Sequence, residues 1–322
     1  MEVVFIGDGP YESGVFPFSG VAGKSALGCA AAIGYATVNS FTLPWQLHRL
    51  LGRGEDGEKV VIHTSSPRGV MAAMEMSHIR DTRPYTVFMP RVSAITDTRE
   101  LSNLGKYASR CDLLLFQGSA ERDVALKAWP GVEVRTEVLP PPVVEPQADA
   151  GEADILYHAP ITEDCGLDSV IGALAAMPSR RLAVNGTGKG RWAMPMVKLS
   201  RRLGTEPRIA WMGDEHAGRI LKVRPLTVVA LTNAADDDAA VKIASYMAQG
   251  ATVVAADAPV SRSLITDGVD GIILPRIGAA EVADAFNRAD ALPQLGEAAK
   301  VKAEGWSLMR FFENLTRIYR SL

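Results

Sequence analysis

Short runs of apolar residues alternate with segments of helical period in the first half of the chain. Apolar runs that are bounded by turn residues are typical of strands buried on both faces. Segments such as residues 23–33 and 119–128 instead repeat their apolar positions at helical spacing. The apolar runs lie at residues 3–6, 60–62, 85–89, 113–116 and 132–138. This alternation predicts parallel strands joined by crossover helices, which is an α/β fold.

A proline-rich segment then interrupts the pattern. Residues 139–152 read Leu-Pro-Pro-Pro-Val-Val-Glu-Pro-Gln-Ala-Asp-Ala-Gly-Glu. Four prolines among small and acidic residues are typical of a stiff, extended connector. This segment is the predicted boundary between two domains.

After the connector the alternation restarts. Strands are predicted at residues 154–158, 181–184, 208–212, 226–231, 251–255 and 271–274, with helices at 167–177, 239–248, 279–288 and 308–321. The two halves therefore predict two doubly wound, Rossmann-like sheets. Ligands of such sheets bind beyond the carboxyl ends of the strands, so we expect the site in the cleft between the two domains.

Composition adds size and charge to this picture. The chain has 322 residues, 47% of them hydrophobic, which is enough for about two packed domains. Its net charge of −3 excludes a uniformly basic nucleic-acid coat. Residues 178–224 nevertheless hold 11 basic and three acidic side chains, a net +8, which leaves −11 for the remainder. Such a segment suits a polyanion, either a donor diphosphate or a nucleic-acid backbone, and solvated helix faces are the alternative.

Cysteine usage and the N-terminus indicate the compartment. The three cysteines are far apart and form no disulfide framework or Cys-x-x-Cys pair. The chain starts Met-Glu, without the basic region of a signal peptide, and no run approaches the ~20 apolar residues of a membrane span. These features predict a soluble, cytoplasmic protein.

Two stretches of the second half resemble a known family. Residues 245–257 read Ser-Tyr-Met-Ala-Gln-Gly-Ala-Thr-Val-Val-Ala-Ala-Asp, and residues 264–275 read Leu-Ile-Thr-Asp-Gly-Val-Asp-Gly-Ile-Ile-Leu-Pro. Both resemble the C-terminal domain of GT4-type glycosyltransferases, which have the GT-B fold. Residues 155–168 and 207–213 resemble the first strand and helix and the base-side strand of that domain. Trp306 and Tyr319 resemble its closing helix.

The resemblance implies an architecture and an activity. It implies an acceptor-side domain of residues 1–143, a nucleotide-sugar domain of residues 144–304, and a helix of residues 305–322 that packs back on the first domain. It further implies metal-independent transfer of a sugar from a UDP-, GDP- or ADP-sugar to a saccharide, lipid or nucleic-acid acceptor, with retention of configuration and no cofactor. A modified base in DNA is one such acceptor. A homo-oligomer is left open.

The chain departs from the family at charged positions. The Arg and Lys that clamp the diphosphate in the family align with Pro160 and Cys165. The family's two glutamates align with Asp237, which keeps a carboxylate for sugar hydroxyls, and with Ser245, which keeps a hydroxyl for the ribose. The family's first-domain His maps near Arg91.

Other residues must then meet the charge that grows on the leaving diphosphate. The glycine-rich turn of residues 185–191 lies between a predicted strand and helix, where backbone N–H groups bind phosphate. Its candidates are Asn185, Gly186, Thr187, Lys189 and Arg191, with a plain solvated loop as the alternative. Met212 is the candidate on the base side. Gly20 and Lys24 lie in a loop that fails the P-loop pattern because Phe18 stands at its first glycine.

Two further positions are candidates for the chemistry. His63 ends a predicted strand at the cleft, where it can act as a base or hydrogen-bond donor, or be a structural histidine. Asp236, Asp237 and Asp238 precede a predicted helix, which favours capping or sugar contact over a metal site. The leading hypothesis is a glycosyltransferase, with His63, Arg91 and Asp237 at the reacting sugar. The rival is a catalytically inactive GT-B relative that binds or regulates a partner.

Overall fold

The computed structural model describes residues 2–6, 60–76, 83–90, 92, 95, 97–186, 188, 190–213, 216, 218–224, 227–233 and 238–322, with backbone only at 2–6 and 190–191. It divides into two compact units. Unit 1 contains residues 1–139 and 312–322, and unit 2 contains residues 140–311. The sequence had placed the first boundary after residue 143 and the start of the closing helix at residue 305. In the described part of the chain, no helix combines the length and apolarity needed to cross a bilayer.

Among the described residues, unit 1 contains a five-stranded parallel sheet in the order β1-β2-β3-β4-β5. The strands are β1 (Glu2–Ile6), β2 (Val60–Thr64), β3 (Tyr85–Phe88), β4 (Leu113–Phe116) and β5 (Arg135–Val138). β5 is shorter than the predicted strand at 132–138. Strands β2 and β4 are buried along their whole length, as expected for a sheet with helices on its faces.

Helices α1 (Pro67–Met76), α2 (Thr98–Ala108) and α3 (Ser119–Ala128) connect β2 to β3, β3 to β4 and β4 to β5, in that order. Trp129, at the end of α3, is 3% exposed and packs against Phe116. Its indole N–H donates to the carbonyl of Leu101 in α2. This hydrogen bond and the apolar cluster that contains Trp129 therefore hold α2 and α3 against β4.

Unit 2 contains a six-stranded parallel sheet. Its strands are β7 (Ile155–His158), β8 (Leu182–Asn185), β9 (Ile209–Trp211), β11 (Val228–Leu231), β12 (Thr252–Ala256) and β13 (Ile272–Leu274), and a separate parallel pair is formed by β6 (Ala148–Asp149) and β10 (Leu221–Lys222). The helices of the rest of the chain are α4 (Leu167–Ala175), α5 (Gly190–Arg202), α6 (Ala239–Ala248), α7 (Pro259–Leu264), α8 (Ala279–Ala291), α9 (Gln294–Ala303) and α10 (Leu308–Arg320). The predicted strands and helices of this half are confirmed.

The strand order of the second sheet is β13-β12-β11-β7-β8-β9. Strands β7, β8 and β9 therefore follow one another from the centre of the sheet to one edge. Strand β11 then pairs with the other side of β7, and β12 and β13 continue from it to the opposite edge. This is the doubly wound nucleotide-binding order, and its topological switch point lies between β7 and β11.

The proline-rich segment has a second role besides connecting the units. After its first three prolines, the N–H of Val143 donates to the Trp306 carbonyl, and after the fourth, the N–H of Gln147 donates to the Ile220 carbonyl. Residues 148–149 then form β6 against β10. The sequence predicted an extended connector. The structure shows that its second half is also hydrogen-bonded to unit 2. This is possible because the residues other than proline keep a backbone N–H that can donate.

Candidate functional site

The carboxyl edge of the unit 2 sheet brings several candidate residues together. Loops follow β7, β8, β9 and β11 at this edge, and the first and last of them flank the switch point. Strand pairing sets His158 directly beside Asn185, each the last residue of its strand. The site is described below from these strand ends outward.

Three buried polar atoms at this edge have no hydrogen-bond partner among the described residues. They are Nε2 of His158, Oδ1 of Asn185 and Nε1 of Trp211, the last residues of β7, β8 and β9. Buried polar groups in native proteins are almost always paired, so an unpaired group marks a place where a ligand or water completes the structure. His158 and Asn185 lie side by side and mark the edge at which doubly wound sheets bind ligands, whereas Trp211 pairs with Val184 and packs against the cluster on the other face of the sheet.

The loop after β7 is held across the switch point by side chains that follow β11. Thr232 donates its hydroxyl to the Cys165 carbonyl (2.8 Å), and Asn233 donates its amide to the Pro160 carbonyl (3.2 Å). Gly166 then takes a left-handed backbone (φ 73°) at the N-cap of α4. The positions aligned with the family's cationic clamp thus carry a buried thiol and a proline whose carbonyl is engaged.

The glycine-rich turn after β8 packs directly on the loop after β7. A Cβ at Gly186 would lie 2.4 Å from the Ala159 carbonyl oxygen, and one at Gly188 would lie 2.7 Å from Cβ of Ile161. Only glycine permits this approach, and the turn leads straight into the first turn of α5 at Gly190. Arg191 follows in α5, where its backbone alone is described. Thr187 and Lys189 lie outside the described residues.

A buried network behind this edge determines the protonation of His158. The Tyr246 hydroxyl accepts the N–H of Leu221 (3.2 Å), so its own proton is available to Nδ1 of His158 at 2.6 Å. The remaining ring proton of neutral His158 is then on Nε2. Burial, and after it the positive charge of Lys242, hold the pKa of His158 well below its ordinary value. His158 therefore presents a neutral Nε2–H donor at the end of β7.

The same network holds the segment that follows β9. Met212 continues the pairing of β9, because its N–H donates to the Val184 carbonyl (2.9 Å). Further along, the amide of Asn185 donates to the Arg219 carbonyl (3.1 Å). Gln249, the C-cap residue of α6, accepts the N–H of Val223 and donates to the Leu221 carbonyl. Side chains from β8 and α6 thus set the path of the predicted base-side segment.

Ser245 lies in α6 and is 1% exposed. Its hydroxyl oxygen accepts the N–H of Val144 in the connector at 2.9 Å. The structure therefore places this predicted ribose contact against the chain's own backbone.

In unit 1, His63 of β2 has surroundings similar to those of His158. Its Nδ1 is 2.5 Å from the hydroxyl of Tyr319 in α10, and the two rings meet edge to face. Burial lowers the pKa of His63 to about 3 and raises that of Tyr319 well above its ordinary value. The hydroxyl thus stays protonated and His63 stays neutral at physiological pH. A neutral, hydrogen-bonded imidazole with this pKa is suited to positioning rather than to taking up a proton.

The other sequence candidates lie outside the described residues. These are Gly20, Lys24, Arg91 and Asp237. Asp238 is described at the N-cap of α6, but its side chain makes no capping hydrogen bond there. Within the described ranges, no group of three or more His, Cys, Asp or Glu residues could hold a metal ion.

Several cations of the basic segment, residues 178–224, interact with carboxylates and carbonyls of the chain itself. Four arginines form ion pairs: Arg180 with Asp290, Arg181 with Glu152, Arg201 with Glu206 and Arg224 with Asp154. Arg208 donates to the carbonyls of Leu174, in the last turn of α4, and of Met177 and Arg180, which follow that helix. Seven of its described basic residues are exposed, and four of these take part in none of the ion pairs above: Lys198, Arg202, Arg219 and Lys222. The charge available to a polyanion is therefore smaller than the sequence count suggests.

Sequence reasoning passed over two residues of the site, Lys242 and Tyr246. Both are buried in α6, 4% and 0% exposed. A signal was present, because a lysine and a tyrosine one turn apart interrupt a mostly apolar helix. Helical spacing alone could not show that this face meets the end of β7.

Comparison with known proteins identifies the fold. No family model matches the chain, and no curated protein matches it by sequence. By structure it is similar to HepE of Anabaena in complex with UDP, with 15% identity, a TM-score of 0.73 and 100% of both chains covered. The HepE complex with UDP-glucose matches at 18% identity and TM-score 0.65 over 81% of this chain and 79% of that one. Sucrose-phosphate synthase from Thermosynechococcus elongatus matches at 15% identity and a TM-score of 0.67, over 88% of this chain and 78% of that one. The predicted GT-B fold, with two Rossmann-like domains, is confirmed.

Proposed function

We propose that this chain is a glycosyltransferase that takes a sugar from a nucleotide-sugar donor. The observation that carries the proposal is the pair of unpaired polar atoms on His158 and Asn185, which lie side by side at the nucleotide-binding edge of the unit 2 sheet. The similarity to HepE, which was solved with UDP and with UDP-glucose, supports a nucleotide-sugar ligand.

The donor diphosphate is proposed to bind at the glycine-rich turn and the start of α5. Backbone N–H groups at a helix N-terminus favour phosphate, and the close packing of Gly186 and Gly188 holds this backbone in place. Thr187, Lys189 and Arg191 would add a hydroxyl and two charges, with Arg191 able to pair with two phosphate oxygens. Met212 would border the base, because its segment is tied to the sheet by Asn185.

Sugar and acceptor contacts are assigned by the family resemblance. Asp237 would hold sugar hydroxyls, and Gly20 and Lys24 would approach the donor from the first domain. Arg91 would act at the reacting sugar, with His63 as a neutral positioning group rather than a base. Ser245 is better explained by its bond to the connector than by a ribose contact. Retention and metal independence are part of the same proposal.

The acceptor is proposed to be a saccharide or lipid, with a modified base in nucleic acid as the other option. The internal ion pairs of the basic segment favour the first. A DNA interaction would have to weaken steeply with salt, because phosphate contacts release counterions.

The donor proposal is tested by binding and hydrolysis. Purified protein is expected to gain thermal stability with at least one of UDP-, GDP- or ADP-glucose and to hydrolyse that donor slowly. Arg191→Ala should weaken both effects, while Arg202→Ala, which changes an exposed arginine of the same helix, should not. No stabilisation by any of the three donors would contradict the proposal.

A second candidate, a non-catalytic GT-B relative, is favoured by one observation. The charged residues described in the loops after β7 and β11 are Glu163, Asp164 and Asp238, all of them acidic. Such loops repel a diphosphate unless cations elsewhere offset them. A relative of this kind would bind a partner protein and show no donor hydrolysis, and Arg191→Ala would change nothing.

A further inference from the structure

Two neighbouring side chains at the carboxyl edge of the unit 2 sheet each keep one polar atom unpaired. His158 and Asn185 are paired in register as the last residues of β7 and β8, and they are 1% and 0% exposed. Nε2 of His158 and Oδ1 of Asn185 have no hydrogen-bond partner among the described residues. An unpaired buried polar group is costly, so two of them side by side indicate a partner that they share.

The hydrogen bonds that these side chains do make decide the role of each unpaired atom. The Tyr246 hydroxyl donates to Nδ1 of His158, so the neutral ring carries its proton on Nε2, which is a donor. The Arg219 carbonyl can only accept, so the NH₂ group of Asn185 faces it and Oδ1 is left as an acceptor. The pair therefore offers one donor and one acceptor, and both side chains are held in place by the chain itself.

A hydroxyl group complements this pair. A single hydroxyl can accept a hydrogen bond from Nε2–H of His158 and donate its own proton to Oδ1 of Asn185. A phosphate oxygen can only accept, and the amide oxygen of Asn185 would repel it. The chemistry of the pair therefore favours a hydroxyl of the nucleotide-sugar over its diphosphate.

The neighbours of Asn185 indicate which hydroxyl this is. The N–H of Met212 donates to the Val184 carbonyl one residue beyond the pairing of Val184 with Trp211, which sets Met212 beside Asn185. Met212 borders the proposed position of the base, and the turn proposed for the diphosphate begins at Gly186, directly after Asn185. The ribose of a nucleotide joins its base to its phosphates, and Asn185 lies between the residues proposed for these two parts.

We propose that His158 and Asn185 bind one hydroxyl of the donor's ribose, with His158 as the hydrogen-bond donor and Asn185 as the acceptor. The inference rests on the proposed function and names the group of the nucleotide-sugar that this pair binds. It also moves the ribose contact away from Ser245, whose hydroxyl is bonded to the connector.

The test removes the hydroxyl from the ligand and its partners from the protein. Wild type and variants are titrated by calorimetry with UDP, 2′-deoxy-UDP and 3′-deoxy-UDP, with the GDP and ADP series in parallel. His158→Asn keeps an acceptor near the Nδ1 position but has no donor at the Nε2 position, whereas His158→Gln keeps a donor there. Asn185→Ala removes the acceptor. Asn103→Ala, which changes an exposed asparagine of α2, is the matched control.

Wild type is expected to bind one of the three diphosphates and to bind one of its deoxy forms about tenfold more weakly, because that form leaves both buried atoms unpaired. His158→Asn and Asn185→Ala should weaken the ribose form about tenfold and change the affinity for that deoxy form less than about twofold. His158→Gln should keep most of the discrimination, and Asn103→Ala should keep all of it.

Three outcomes contradict the inference alone. The first is a wild type that binds a diphosphate but discriminates against neither deoxy form. The second is a pair of variants that discriminate as wild type does. The third is an equal loss of affinity for the ribose and deoxy forms with a lower thermal midpoint, which would make the role of the pair structural.

The transferred sugar is the other source of a hydroxyl, and the corresponding glucose donor distinguishes it. If His158→Asn and Asn185→Ala bind that donor more weakly but bind the diphosphate as wild type does, the hydroxyl belongs to the sugar and the inference is wrong. If wild type binds none of the three diphosphates, the proposed function fails and this inference fails with it.

Discussion

Each unit has a buried histidine near the C-terminal end of a strand. Nδ1 of each histidine is hydrogen-bonded to a tyrosine hydroxyl. His63 and Tyr319 form the pair in unit 1, and His158 and Tyr246 form it in unit 2. In both pairs the rings meet edge to face, at 86° and 73°. The shared physical consequence is an imidazole that stays neutral because its charged form would be buried without water.

At the residue scale, this predicts loss of stability in mild acid. The pKa of His63 is about 3 in the folded chain and 6.5 as the ordinary value, so between these values only the unfolded chain binds the proton. The contribution of His63 to the free energy of unfolding is therefore fully present above about pH 6.5. Below that pH the free energy of unfolding falls by up to about 1.4 kcal/mol per pH unit. Urea unfolding at pH 7.5 and pH 5 measures this slope.

His63→Gln is expected to make the slope shallower for unit 1, because the titrating group is gone. His158→Gln serves as the control, since it should flatten the slope for unit 2 instead. An unchanged slope for unit 1 in His63→Gln would show that the imidazole is not buried as described.

At the scale of elements, glycines set how closely the loops of the carboxyl edge approach one another. Gly166 begins α4 with φ 73°, and a Cβ there would lie 2.7 Å from Cγ2 of Ile277 and 2.9 Å from Thr232. The Thr232 hydroxyl also donates to the Cys165 carbonyl and so holds the loop after β7. The start of this helix and the loop before it therefore depend on one residue without a side chain.

Gly166→Ala is expected to lower the free energy of unfolding by about 3 kcal/mol, because left-handed strain adds to a steric clash. Gly204→Ala is the matched control. Gly204 has a similar φ of 69°, but no described atom lies within 4 Å of its Cβ position. It should therefore cost about 1 kcal/mol. Equal losses in urea denaturation would show that the contact with Ile277 and Thr232 is not restrictive.

At the scale of the whole molecule, the chain passes between the two units twice, after residue 139 and after residue 311. The last 11 residues belong to unit 1, although they follow unit 2 in sequence. Leu315, Ile318 and Tyr319 are buried there, and the Arg135 side chain of β5 donates to the Ser321 carbonyl. Unit 1 is therefore incomplete without the end of the chain.

Deletion of residues 312–322 is expected to destabilise unit 1 by about 5 kcal/mol, because it exposes the surface that these buried side chains cover. Unit 2 should keep its stability. Hydrogen exchange read by mass spectrometry checks this, with faster exchange expected in residues 60–139 and little change in residues 140–311. Faster exchange spread evenly over both ranges would contradict the division into units.

Much of the fold could be predicted from local sequence. The apolar runs at 113–116 and 226–231 predicted β4 and β11 because strands buried on both faces must be apolar throughout. The candidate site could be predicted only in part. Asn185 and Gly186 became candidates because a glycine-rich turn after a strand is visible in sequence, whereas Tyr246 and Lys242 lie in a helix whose pattern indicates only burial.

The sequence by itself determined the alternation of strands and helices, and it predicted a domain boundary in the proline-rich segment and, through the family resemblance, Pro160 and Cys165 at the positions of a cationic clamp. These are local properties, since each depends on residues close together in the chain. The tertiary structure decided that β11 returns beside β7 and that Tyr246 meets His158, 88 residues away. It also decided which basic side chains are engaged in ion pairs. Such contacts depend on strand order and helix rotation, and no short stretch of sequence specifies either.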